Sequence, residues 1–130
     1  MDAIKKVLVL AAVSEAATGV ASLIFPSLVG RLLFGAELTG VSIPVARLAG
    51  IALIALGLAC WPCIEATDIP TRALRAMLCY SLLATLYLAY LGIRSEWVGS
   101  LLWPATVIHA ILTTLLVRAW LNNQRTRGKT

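Results

Sequence analysis

The chain has 130 residues, enough for one compact unit. It is 60% hydrophobic and only 13% charged, with a mean hydropathy of +0.90 and a net charge of +5. Soluble domains carry about 25% charged residues, and a fold this small leaves much of its surface against solvent. An ordinary soluble enzyme, a disordered tail and a nucleic-acid-binding domain are thereby excluded. An integral membrane protein remains.

A helix needs about 20 apolar residues to cross a bilayer. The first such stretch is residues 4–25, interrupted only by Glu15. Lys5 and Lys6 ahead of an apolar run invite comparison with a signal peptide. A carboxylate in mid-run argues instead for a retained span. Ala11, Ala12, Glu15, Thr18, Gly19 and Ser22 share one face, and Leu10, Val13, Val20 and Leu23 or Ile24 share the other. Small and polar residues pack helix to helix while large apolar ones meet lipid, so Glu15 is expected to point into the protein.

The first connection, residues 26–44, is the longest. Pro26 ends the first span. Leu28, Leu32 and Leu33 can share a helical face, and Gly35 can cap it. Two readings stay open: a short interfacial helix or an irregular loop, since a two-turn helix is marginal alone.

The second span is residues 45–62, with Arg47 near its start and a stripe of Arg47, Gly50, Ile54, Gly57 and Trp61. The glycines admit a close neighbour. The span ends in Cys60-Trp61-Pro62-Cys63. A C-x-x-C at a helix end puts two thiols within disulfide range and makes Cys60 and Cys63 redox candidates. Against that role, the pair sits at a helix C-terminus, whose dipole opposes the thiolate, and on the side predicted to be cytoplasmic, where disulfides rarely persist.

The second connection carries Glu65, Asp68 and Pro70, which suit a helix start. The third span is residues 73–93. Ser81, Thr85 and Gly92 lie on one side, and Tyr80, Tyr87 and Tyr90 on another. A tight connection around residues 94–99 leads to the fourth span, residues 97–117, with His109 in its middle and Pro104 expected to kink it. On the fourth span Thr106, His109, Ala110, Thr113 and Val117 form a stripe. Short connections make spans two, three and four antiparallel neighbours. Residues 122–130 form a basic tail, read as a topological anchor with a frayed end or a patch for anionic lipid.

Lys and Arg counts set the orientation. Eight (Lys5, Lys6, Arg72, Arg75, Arg118, Arg125, Arg127 and Lys129) lie on the side of the termini, and Arg31, Arg47 and Arg94 on the other. Both termini are therefore expected in the cytoplasm, in a cell inner membrane. Trp61 and Trp120 would mark the inner interface and Trp97 the outer one.

Ionisable groups inside a span are costly and suggest function by default. Glu15 and His109 lie roughly 15 and 18 Å from the outer ends of their predicted helices, and Arg47 roughly 5 Å from its own. The reading is a Glu15–Arg47 polar centre near His109 and a tyrosine such as Tyr87. It serves either as a pocket for a ligand or a proton, or as a buried structural network. No metal or other cofactor is expected. The single histidine is far from the cysteine pair, and two thiols alone do not make a zinc site.

The layout resembles the DoxX-like superfamily of small bacterial four-helix membrane proteins. The resemblance rests on the first span with Glu15 and Phe25-Pro26, on Arg31-Leu-Leu-Phe-Gly35, and on residues 46–57 with their Arg47…Gly50…Gly57 pattern. It implies a four-span bundle, and a role in a membrane oxidoreductase complex or in assembly of other membrane proteins. Small multidrug resistance transporters also embed a glutamate in their first span, but Arg47 would repel their cationic substrates. Vitamin K epoxide reductase-like proteins carry a C-x-x-C, but on the outer side and with further loop cysteines.

The expectation is an all-α, four-span bundle with a bilayer as its environment, and a second copy or another membrane protein as its partner. The expected role is a non-enzymatic accessory or ligand-binding protein. The alternatives are a proton-coupled transporter using Glu15 and a thiol oxidoreductase using Cys60 and Cys63.

Overall fold

A computed structural model describes residues 3–61 and 71–127. Cys63, Glu65, Asp68 and Pro70 lie outside the described residues. The described residues form five helices and no strand: α1 (Ala3–Ile24), α2 (Pro26–Phe34), α3 (Ser42–Ala59), α4 (Thr71–Arg94) and α5 (Leu102–Arg127). All but α2 are long and apolar enough to cross a membrane. Their serine and threonine hydroxyls mostly turn back onto the carbonyl four residues earlier, as Thr18 does to Ser14 and Thr106 to Leu102. In an apolar surrounding this satisfies a donor that has no water to bond.

Close packing follows the glycines. A Cβ on Gly50 would lie 2.6 Å from the Gly19 carbonyl oxygen, and one on Gly57 would lie 2.7 Å from that of Ala12. The backbones of α1 and α3 therefore touch, and their contacts run in reversed sequence order. A second pair forms between α4 and α5. Gly92 lies under Leu102 and Trp103, and Thr85 Oγ1 is 3.4 Å from Thr113 Oγ1.

The two pairs join at the end of the molecule that holds both termini. Leu8, Cys60, Leu74, Met77, Leu112 and Leu116 form the core there. Cys60 ties α3 to α4 at this end, its thiol donating to the Ala73 carbonyl at 3.5 Å. Towards the α2 end, α3 and α4 do not pack along each other. Of the expectation that spans two, three and four are successive neighbours, the packing of span three on span four holds, and that of span two along span three is corrected. The glycine face of α3 is spent on α1, and the face that borders the gap carries Ala46 and Ala49, which are short, besides Leu53.

Of the two readings of the first connection, the helix is correct. Pro26 stands at its first position, where the missing N–H costs nothing. Gly35 ends it in the left-handed region (φ 72°) and donates to the Arg31 carbonyl at 3.0 Å. The next two carbonyls of α2 are taken by the loop before α5. Leu101 N–H donates to Leu32 at 2.8 Å, and Gly99 N–H to Leu33 at 3.0 Å. A helix end left without such partners would be costly, and the loop supplies them across the chain.

That bonding also moves the start of the fourth long helix. It begins at Leu102, not at residue 97, because the amides of Gly99 and Leu101 serve α2 instead of a helix of their own. Pro104 consequently falls in the first turn of α5, where proline is tolerated, and is not the mid-helix kink expected of it. At the other end α5 continues to Arg127, so the expected frayed tail is helical as far as the chain is described.

Candidate functional site

Glu15 is 1% exposed, in the middle of α1. The sequence reading paired it with Arg47, and that pair does not form. Arg47 is exposed, and no acidic side chain among the described residues reaches it. The reason is register. Gly50 meets Gly19 and Gly57 meets Ala12, so Glu15 is level with about residue 54 of α3. Arg47 stands seven residues further along, about 10 Å away along the axis. It is also turned about 100° from its neighbour Ala46, which faces the interior of the gap.

The partner is His109 of α5. Its Nε2 lies 3.4 Å from Glu15 Oε1. Neither carboxylate oxygen makes a hydrogen bond of good geometry, so the histidine, at ion-pair distance, is the group that answers the buried acid. The expected matching of depth holds for this pair. With α5 starting at Leu102, His109 is about 10 Å from the helix end and Glu15 about 13 Å from its own.

The tautomer follows from the second ring nitrogen. His109 Nδ1 is 2.9 Å from the Ala105 carbonyl oxygen. A carbonyl can only accept, so Nδ1 carries a proton. If Nε2 is bare, its lone pair faces Glu15, and that contact is attractive only when the carboxyl is protonated. If Nε2 is protonated, the carboxylate is its counter-ion. In both cases the contact holds one proton and the pair is neutral overall. A second proton would leave a buried cation unpaired, and the loss of the proton would set a lone pair against a carboxylate. Both are expensive away from water.

Tyr80 of α4 completes the cluster. Its ring stands 6.1 Å from the His109 ring, inclined at 59°, and Glu15 is near enough to act on its hydroxyl electrostatically without a formed hydrogen bond. The sequence alone points to Tyr87. That residue is 61% exposed and lines the same cleft further along α4. Periodicity could place Tyr80, Ala84 and Tyr87 on one stripe, but the choice between the tyrosines depended on how α4 is rotated against α5.

These groups lie at a cleft of about 580 Å³ between α3 and α4, within the usual range for ligand pockets. Its walls are apolar, with Ala49 and Leu53 on α3 and Leu83 and Ala84 on α4. Val29 and Leu33 of α2 are part of its lining, and its polar side chains are those of Thr18, Ser22, Tyr80, Tyr87 and His109. A smaller cavity of about 320 Å³ lies beside it, beneath α2 and against α5, and shares Thr18, Val29, Leu33 and Ala105 with it.

Of the redox candidates, only Cys60 is among the described residues. Cys60 is buried and a free thiol, and Cys79 is an exposed free thiol. Cys63 lies outside the described residues. Among the described residues no three His, Cys, Asp or Glu side chains gather as metal ligands would. Comparison with protein-family models, with curated proteins and with solved structures finds no match.

Proposed function

We propose that the chain is a four-span antiparallel bundle of a bacterial inner membrane that holds a small ligand in the α3–α4 cleft. It acts as a binding or accessory protein, not as an enzyme. The observation that carries this reading is the cleft itself, which is apolar along its walls and is bordered by His109, the partner of buried Glu15. A purely structural pair would be sealed by packing. Here the histidine borders on open space.

Both termini face the cytoplasm in this reading. At the α2 end, Arg31 is paired with Glu37 and Arg94 with Glu96, which leaves Arg47 as the unbalanced cation there among the described residues. The terminal end carries the greater excess of Lys and Arg, in keeping with retention of positive charge inside. The DoxX-like resemblance is consistent with this layout and belongs to the same proposal.

The test is native mass spectrometry of protein released from membranes in mild detergent. Wild type is expected to carry a non-covalent small-molecule adduct. Ala84→Trp, whose indole fills the cleft, is expected to lose it while remaining folded. A bare wild type, or equal adducts on both proteins, argues against the reading. A second reading, proton-coupled transport through Glu15, is favoured by the single proton held between Glu15 and His109. It predicts substrate-driven proton movement in liposomes that is abolished by Glu15→Gln.

A further inference from the structure

We infer that the occupant of the α3–α4 cleft is an uncharged amphiphile, an apolar chain or ring with one hydrogen-bonding head such as an alcohol, that enters sideways from the bilayer and sets its head against Tyr80 and His109. This inference rests on the ligand-binding reading above and specifies the chemical class.

Charge and access set the class of the occupant. An ionic head in this cleft needs a counter-charge. Each wall can be checked for one. α3 contributes Ala46, Ala49 and Leu53, and α2 contributes apolar residues and Gly30. α4 contributes Tyr80 and Tyr87 with Leu83, Ala84 and Leu88. α1 contributes the hydroxyls of Thr18 and Ser22, each near its own helix, and α5 contributes His109. Arg47, turned about 100° from Ala46, is not part of the lining. The ionisable pair at this end, Glu15 with His109, already balances itself. A cation would have to strip Glu15 from His109, and an anion would face a carboxylate behind the imidazole. Either leaves a buried charge unpaired.

A neutral head suffers no such penalty. It finds a phenol hydroxyl that both donates and accepts. Behind that hydroxyl lies a carboxyl that is nine-tenths buried or more and has no well-formed hydrogen bond.

Access follows from the packing. α3 and α4 are joined near their terminal ends by Cys60 and Ala73 and do not pack along each other beyond that point. The open side of the cleft therefore lies between two spanning helices, at the depth of the lipid chains, while α2 is part of its lining. A molecule dissolved in the bilayer can reach the cleft without crossing a water-filled mouth.

The experiment uses the full chain in phosphatidylcholine nanodiscs and reads thermal unfolding by tryptophan fluorescence. Four twelve-carbon probes are added at equal low mole fraction: dodecan-1-ol, dodecane, dodecyltrimethylammonium and dodecanesulfonate. The alcohol is expected to raise the unfolding temperature by about 5 °C at ten times its Kd, as binding to the native state alone requires. The other three should raise it by less than half as much. Tyr80→Phe, which removes only a hydroxyl, should reduce the alcohol's effect, and Ala84→Trp should abolish it. Equal shifts by dodecane and dodecanol, or larger shifts by either ion, would overturn the assignment of class while leaving binding in the cleft intact. The absence of any shift with all four probes would overturn the ligand-binding reading itself.

Discussion

The pairing of Glu15 with His109 can be tested by a double-mutant cycle. At 3.4 Å, and with an effective dielectric constant of about 20, opposite unit charges attract by about 5 kcal/mol before desolvation is counted. Desolvation offsets much of this, and the partner left behind can relax to its neutral form. Glu15→Leu and His109→Leu are therefore each expected to cost about 3 kcal/mol, the lower end of what breaking a buried pair costs. The double variant should cost about 4 kcal/mol, because removing both groups leaves neither one orphaned. Glu15→Gln is the milder change. Its amide can donate to the bare Nε2 of a neutral His109, so about 1 kcal/mol is expected. The assay is equilibrium unfolding in mild detergent, run on the four proteins of the cycle and on Glu15→Gln. Strict additivity of the two leucine variants would refute the pairing. A loss in Glu15→Gln as large as in Glu15→Leu would refute the shared proton.

Arg47→Gln should leave stability within about 0.5 kcal/mol in the same assay, as expected for an exposed side chain outside any network; a loss of several kcal/mol would restore the ion pair with Glu15. Gly50→Ala should cost about 2–3 kcal/mol, because its new methyl meets the Gly19 carbonyl oxygen at 2.6 Å. Gly40→Ala serves as its control, since open space surrounds that position and only its φ of 56° is strained, for about 1 kcal/mol. Gly99→Ala sets a methyl against the Leu32 carbonyl and should free the end of α2, seen as faster hydrogen exchange at the Gly99 and Leu101 amides without loss of the four long helices.

Much of this protein was legible in the chain. Apolar runs of about 20 residues admit few structures other than spanning helices, because a backbone in lipid must bond to itself. Hence all four long helices, and the inward face of Glu15, could be read directly. The short α2 could be located but not decided, because a two-turn helix depends on what donates to its last carbonyls. Those partners proved to be the amides of Gly99 and Leu101, about 70 residues away in the chain. The same bonds shifted the start of α5, a shift that no local pattern signals.

The sequence by itself determined which groups would be buried in the membrane and roughly at what depth, since both follow from composition and from a fixed rise per residue. Their pairing was decided by the tertiary structure. Glycine contacts set the register of α1 on α3 and carried Arg47 past Glu15. The rotation of α4 and α5 brought Tyr80, not Tyr87, to the histidine. The cleft exists because the close-packing face of α3 was used on α1, leaving Ala46, Ala49 and Leu53 to border the gap. Depth is a property of one helix, whereas register and rotation belong to pairs of helices, and they are set by side-chain volumes that meet only when the chain has folded.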